Sequence, residues 1–313
     1  MKKQLIISIL AAFVTAQVTP SQTITETFGS GTNQFSIDFV RVGNPGNAAD
    51  TTGLPNPVGA VSYIYNIGKY EVSRDMINKA NAAGGLGIGM WDMSPYGANG
   101  ANRPATGITW YSAAKFVNYL NSSSGNKEAY KFDASGNFQL WSSTDAGYNA
   151  NNLFRNSLAK FFLASLDEWY KAAYGSPSGI WYNYPTGSDS APQAVSGGSV
   201  GAVYNGQGAP ADITNAGGLS PYGTMAQGGN VWEWVETAYD GINDSVGEVR
   251  TVRGGGWGNG AYDLVVTGNS SFPTTPTNVD FGFRVASVPE PSALSLLAVG
   301  LGGLAILARR RRV

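Results

Sequence analysis

Apolar positions alternate with polar ones in two early stretches of the chain. Phe35, Ile37 and Phe39 form the first, Tyr63, Tyr65 and Ile67 the second, and a period of two predicts half-buried strands. Gly43-Asn44-Pro45-Gly46 is a turn cluster between them. The period then lengthens. Ser73 opens a short helix whose apolar positions include Met76 and Ile77, and Ala113, Phe116, Val117 and Leu120 fall at i, i+3, i+4 and i+7 of a clearer one. Ser165 with Glu168 is a capping box that starts a third helix, ending near Gly175. Residues 176–220 are rich in Gly, Ser, Pro and Tyr with little period, and read as long ordered loops. Strands resume around 231–236, 249–253 and 281–286, whereas residues 17–34, Thr- and Ser-rich, read as loose.

These elements are organised around Tyr222–Trp234, YGTMAQGGNVWEW. Gly228 and Gly229 allow positive φ or close backbone approach, and Asn230 can hydrogen-bond local backbone. In a strand, Trp232 and Trp234 share one face and Glu233 takes the other. Two indoles are too much apolar area to leave wet, so their face is core. Glu233 then needs a partner: an arginine, backbone amides or a metal.

The two ends read differently from the middle. Lys2-Lys3, the apolar run Leu5–Val14 and a cut after Ala16 describe a secretory signal peptide over residues 1–16. At the other end Val288-Pro289-Glu290-Pro291 precedes the uncharged run 292–308, and Arg309–Arg312 close the chain. That run is at the short end of what spans a bilayer, with the arginines on the cytoplasmic side. The part between is therefore expected outside the cytoplasm, held to the membrane by the tail until it is processed.

Composition narrows the chemistry. Gly is 42 of 313 residues and only 13% are charged, against about 25% charged in ordinary domains. Turns and aromatic packing should dominate over helices. The net charge is −1, but the terminal segments hold six of the 20 basic residues and one of the 21 acidic ones, so the middle carries 14 against 20. Nothing in that balance favours nucleic acid as a partner. Cysteine and histidine are absent. No disulfide, thiolate nucleophile or imidazole base is available, and copper, iron or zinc sites built on those ligands are excluded. Calcium remains permitted, because oxygen ligands suffice. Asp167, Glu168 and Glu233 could in principle supply a glycosidase pair at about 5–9.5 Å, but Glu168 is explained by its cap and Glu233 by its place in the WEW stretch.

GGNVWEW, followed by Arg253-Gly254-Gly255-Gly256-Trp257 and Gly282-Phe283-Arg284-Val285, resembles the sulfatase-modifying-factor, or formylglycine-generating-enzyme-like, family. Lys69-Tyr70-Glu71-Val72-Ser73, Arg103-Pro104 with Thr109-Trp110, and LASLDEWYKAAY at 163–174 continue the likeness upstream. The resemblance covers residues 35–287 and implies a single Gly-rich α+β domain related to the C-type lectin fold, with long irregular loops and few short helices. Catalytic members hold copper with two cysteines between the RGG-Trp and GFR motifs, and another branch uses histidine-bound iron. Here residues 258–281 contain neither residue type. The resemblance also implies calcium at the carboxylate of Glu233, with Asn230 and the Val231 carbonyl. The alternative is that Glu233 pairs with a buried arginine such as Arg253 or Arg284, which would tie loops together. A second calcium site of the family meets Val203 where the family has Asn.

The tail, with Pro289, Glu290 and Pro291, resembles the PEP-CTERM sorting signal of Gram-negative bacteria that make extracellular polysaccharide. It implies recognition by an exosortase after export by the secretion machinery. The expected role is a non-catalytic surface or polysaccharide-matrix protein, with polysaccharide or a surface protein as partner. A rival is a recognition module like the variable proteins of diversity-generating elements, reading its target with Gly258–Asn278. A divergent enzyme is disfavoured. Trp181, Tyr182, Tyr184, Tyr204, Tyr222, Trp257 and Tyr262 lie in Gly-rich loops, where they either form a binding platform or fill the core of a helix-poor fold.

Overall fold

The computed structural model describes residues 23–275 and 278–289. The signal peptide at 1–16 and the apolar run at 292–308 lie outside them, as do Glu290 and Pro291. Two sheets and three substantial helices carry the core. The first sheet is built from β1 (Thr23–Phe28), β2 (Phe35–Val42), β3 (Tyr65–Gly68), β6 (Phe161–Leu163) and β11 (Val285–Ser287), in the order β1-β2-β3-β11-β6. Every pairing in it is antiparallel.

The second sheet has β7 (Trp232–Ala238), β8 (Arg250–Arg253), β9 (Ser270–Phe272) and β10 (Phe281–Phe283), ordered β10-β7-β8-β9, with β10 and β7 parallel. A two-stranded ribbon pairs β4 (Lys131–Phe132) with β5 (Phe138–Gln139). The predicted strand at 281–286 thus divides at Arg284, whose neighbours belong to different sheets.

Three helices form where the sequence placed them: α1 (Arg74–Gly84), α2 (Trp110–Ser123) and α3 (Leu166–Tyr174). A single further turn, α4 (Ala261–Leu264), lies in a stretch expected to be loop. Ser73 caps α1 by accepting the Met76 N–H, and Thr109 caps α2 by accepting from Ser112. The Ser165–Glu168 capping box closes α3 reciprocally, and Gly175 follows its last residue. Ala113, Phe116, Val117 and Leu120 are all fully buried against Trp110 and the first sheet. Rings do much of the packing: Trp110 meets Tyr130, Phe138 and Phe154 edge-on at 5.2–6.0 Å.

Residues 23–34 are not loose. β1 pairs with β2 from Thr23–Val40 to Phe28–Phe35. Its exposed face is a polar ladder in which Thr25 donates to Asp38 and Thr27 meets Ser36, while Phe28 is buried against Phe161 at 5.0 Å. Threonines on the wet face of a strand resemble linker composition, which is why the segment reads as disordered. The strand expected from Tyr63 begins at Tyr65. Tyr63 stays 45% exposed and spends its hydroxyl on Glu168.

Trp232, Glu233 and Trp234 lie in β7 as expected, but both faces of the strand are covered, so all three are buried. Trp234 packs on Phe281 at 5.3 Å and donates to the Ile108 carbonyl; Trp232 donates to Asn259. Trp232→Ala should cost about 3–5 kcal/mol of folding free energy, because a large buried ring leaves a cavity. A denaturation midpoint that barely moves in this variant would place the indole at the surface and refute the burial.

Candidate functional site

The polar centre of the domain is an ion pair between Glu233 on β7 and Arg284, both 0–1% exposed. The Glu233 carboxylate accepts from Arg284 through Nη2 to Oε1 at 2.5 Å and Nε to Oε2 at 2.6 Å. Oε2 also accepts from the Trp169 indole at 2.6 Å. The remaining Arg284 donors reach the carbonyls of Gly68, Lys69 and Met225. All five guanidinium N–H groups therefore have an acceptor.

The same corner holds Glu71 and Asn230. Asn230 sits at φ +62°, accepts from the Ala211 N–H at 2.7 Å and donates to Glu71 Oε2 at 2.6 Å. Its backbone N–H goes to Val203 and its carbonyl takes the Trp257 N–H. Gly229, at φ +89°, is a place where a side chain cannot fit: a Cβ would lie 2.4 Å from the Val203 carbonyl oxygen. Glu71 accepts only from neutral N–H groups, those of Asn230 and Val231. Burial pushes its carboxyl well above the ordinary range, and the neighbouring Glu233 charge adds to this against the pull of Arg284.

This geometry does not fit calcium at Glu233. Its oxygens already face three N–H donors, two from the Arg284 guanidinium and one from the Trp169 indole, and the Asn230 amide is spent on Ala211 and Glu71. Of the two arginines considered for Glu233, Arg284 is the partner. Arg253 lies opposite Glu233 in the β7–β8 register, yet its guanidinium turns to the carbonyls of Leu54, Val266 and Gly268. It rests 5.4–5.8 Å from the rings of Trp169, Tyr170 and Tyr174. The Trp169 indole serves both charges, donating to Glu233 and stacking toward Arg253.

The other carboxylates raised for catalysis are also engaged. Asp167 accepts from the Gly59 N–H at 2.7 Å. Glu168 and Glu236, both fully buried, share the Arg155 guanidinium. Burial opposes ionisation of Glu168, but Arg155 overcomes it and holds the carboxyl below its ordinary range. Tyr63 and Tyr130 donate to Glu168 and Glu236 respectively.

Residues 258–275 and 278–281 form a loop, α4, β9 and the entry to β10. Asn259 Oδ1 accepts from the Trp232 indole and from the Gly256 N–H. Asp263 and Asp280 come near one another beside Gly255 and Gly256. One oxygen of each, Asp263 Oδ2 and Asp280 Oδ1, has no hydrogen-bond partner among the described residues. Burial, with the Asp263 charge adding to it, pushes Asp280 up to about 6.

Of the seven loop aromatics singled out, Tyr204, Tyr222 and Trp257 are core, Trp181, Tyr182 and Tyr184 are half-buried, and Tyr262 is 73% exposed. The sequence reading missed Trp91, Tyr96, Tyr148 and Tyr239, which are also exposed. Their signal was position in polar loops, which buried aromatics of this chain share.

The fold and this self-contained polar centre define a single-domain protein of the C-type-lectin-like class. Residues 45–288 match the sulfatase-modifying factor enzyme 1-like domain, and the chain belongs to that family. Residues 287–312 match the PEP-CTERM protein-sorting motif.

Three solved structures are similar. Variable protein 1 of Treponema denticola is 17% identical, with TM-score 0.53 over 85% of this chain and 99% of that one. CarF is 19% identical, with TM-score 0.59 over 81% and 99%. PvdO from Pseudomonas aeruginosa is 14% identical, with TM-score 0.55 over 87% and 100%. At these identities the likeness is one of fold. No curated protein matches the chain.

Two outcomes check the polar centre. Glu233→Gln should cost about 3–5 kcal/mol at neutral pH, since it strands a buried guanidinium. The effect of Glu71→Gln should depend on pH. A carboxyl raised in the fold binds its proton more tightly there than in the unfolded chain, so its contribution is complete below about 4.5 and is lost as pH rises. Relative to wild type, the Glu71→Gln melting temperature should therefore be higher at pH 8 than at pH 5. A difference that is flat or reversed across this range would mean Glu71 is charged in the fold.

A metal measurement tests the fit at Glu233. Calcium chelation should leave the melting temperature of wild type unchanged. A chelator-sensitive melt that Glu233→Gln abolishes would restore the metal site.

Proposed function

We propose that this is a non-catalytic exported protein, retained at the cell surface or in the extracellular polysaccharide matrix, whose domain serves binding or structure. One observation carries the reading: the framework of the family is intact, while residues 258–281 offer no thiol or imidazole and the carboxylates of Glu233, Glu168 and Glu236 are spent on Arg284 and Arg155. The PEP-CTERM motif implies recognition by an exosortase and sorting to the surface of a Gram-negative cell. Release into the matrix after removal of the tail is the finer step of the proposal. Among the described residues no helix is long and apolar enough to cross a membrane.

A second reading makes residues 258–278 a recognition surface. It is supported by the ring of Tyr262, which this stretch leaves exposed and on which a flat ligand would stack.

Cell fractionation tests the first reading. Wild type should appear in the surface and extracellular-polymer fractions, shortened at its C-terminus. A triple alanine variant of Pro289, Glu290 and Pro291 should stay full length in the inner membrane. Wild type retained there, uncut, would overturn the proposal.

A further inference from the structure

A groove of about 390 Å³ lies away from the 258–281 loops, lined by Asn126, Lys127, Glu128, Trp141, Asp145, Ala146 and Asn156. It falls within the size range of small-molecule sites, about 300–1,000 Å³. Its indole is held in place. Trp141 Nε1 donates to the Ala129 carbonyl at 2.9 Å, the Trp141 backbone N–H goes to Leu153, and the Lys131 ammonium stands 5.7 Å from the ring. The Ala129 carbonyl also takes the Asn156 N–H, so both walls hang from one backbone group.

The polar lining divides into committed and free groups. Asn156 spends its amide on Ala146 and Leu158. Asp145 Oδ2 accepts from Lys131 and from Ser142, and these donors hold the carboxyl down at about 2. Asp145 Oδ1 has no partner among the described residues, and the same is true of the Lys127 ammonium and the Glu128 carboxylate. The Asn126 amide makes only a 3.5 Å contact to Ser124 through its nitrogen. The lining itself holds two carboxylates, Glu128 and Asp145, against one ammonium, Lys127, and Lys131 pairs with Asp145 from outside it.

We infer that this groove binds a neutral pyranose unit of a polysaccharide, its C–H face on the Trp141 indole and its hydroxyls on Glu128, Asp145, Asn126 and Lys127. A ring with an apolar face and a hydroxyl rim matches one fixed indole bordered by free carboxylate oxygens and donors of both kinds. An anionic sugar would meet two carboxylates, and a hydrophobic peptide would bury Lys127 and Glu128 unpaired. The inference rests on the surface and matrix role proposed above and gives it a ligand class and a place.

The test is affinity electrophoresis of the full chain in mild detergent, through gels holding dextran, galactomannan or mixed-linkage β-glucan, with alginate as the acidic comparison. At least one neutral polysaccharide should retard wild type. Trp141→Ala should abolish the retardation, and Glu128→Gln, at an exposed position that leaves folding intact, should weaken binding about tenfold. Tyr262→Ala should bind as wild type.

Retardation that survives Trp141→Ala and Glu128→Gln but is lost in Tyr262→Ala would overturn this groove and keep the surface role. Retardation by alginate alone would overturn the neutral ligand. No retardation by any neutral polysaccharide would also overturn the inference, while the fractionation result judges the surface role separately.

Discussion

The rest of the domain depends on the buried contact between Arg284 and Glu233. Arg284 is the residue at which the chain leaves one sheet and enters the other: β10 ends at Phe283 and β11 begins at Val285. Taking two charges out of water costs several kcal/mol per ion, which their attraction offsets only when geometry and remaining hydrogen bonds are complete. Here they are. The five guanidinium donors reach the end of β3, the loop at Met225 and the carboxylate on β7, and Trp169 brings α3 to the same oxygen. One side chain thus sets the relative position of both sheets, a helix and a long loop, in a chain with no cysteine to do so covalently.

The same logic recurs with neutral side chains. Long loops bury backbone groups that no ladder satisfies, and each such group must find a partner. Asparagine amides supply it, because one side chain can accept a backbone N–H and donate to a carbonyl at once. Asn81 does this for Ile88, Asn118 for Tyr130, and Asn121 for Lys160 and Phe161. Asn230 does it in the left-handed conformation that asparagine tolerates. The low helix content is therefore matched by side chain to backbone bonds, and Arg253 extends the pattern to three loop carbonyls.

How much of this the sequence disclosed follows from how local each signal is. Capping boxes and the 3.6-residue period are local, and Ser165, Glu168, Phe116 and Leu120 stand where they were expected. The WEW strand was legible because two indoles force burial. The Glu233 partner was not: Arg253 is its cross-strand neighbour and Arg284 is not, yet the tertiary fold sends Arg253 to loop carbonyls and Arg284 to the carboxylate, a contact across 51 residues. β1 was hidden because threonines on a wet strand face and in a linker look alike. Loop aromatics failed for the opposite reason. Trp257 and Tyr262 are five residues apart with similar neighbours, and only the tertiary fold covers one and exposes the other.

That division between a closed interior and open loops bears on what the domain can do. A hard cation at Glu233 would have to displace Arg284 from the carboxylate, leaving two guanidinium donors and a buried positive charge to be satisfied again, a cost that calcium ligation by a single carboxylate does not offset. The Arg155 cluster is closed in the same way, with Glu168 and Glu236 both on one guanidinium and capped by tyrosines. Charges balanced inside the fold are unavailable to a substrate. Chemistry toward a partner then falls to exposed groups that the fold leaves unpaired, such as the Glu128 carboxylate and the Lys127 ammonium beside Trp141, and these sit on loops that can change without disturbing the pivot.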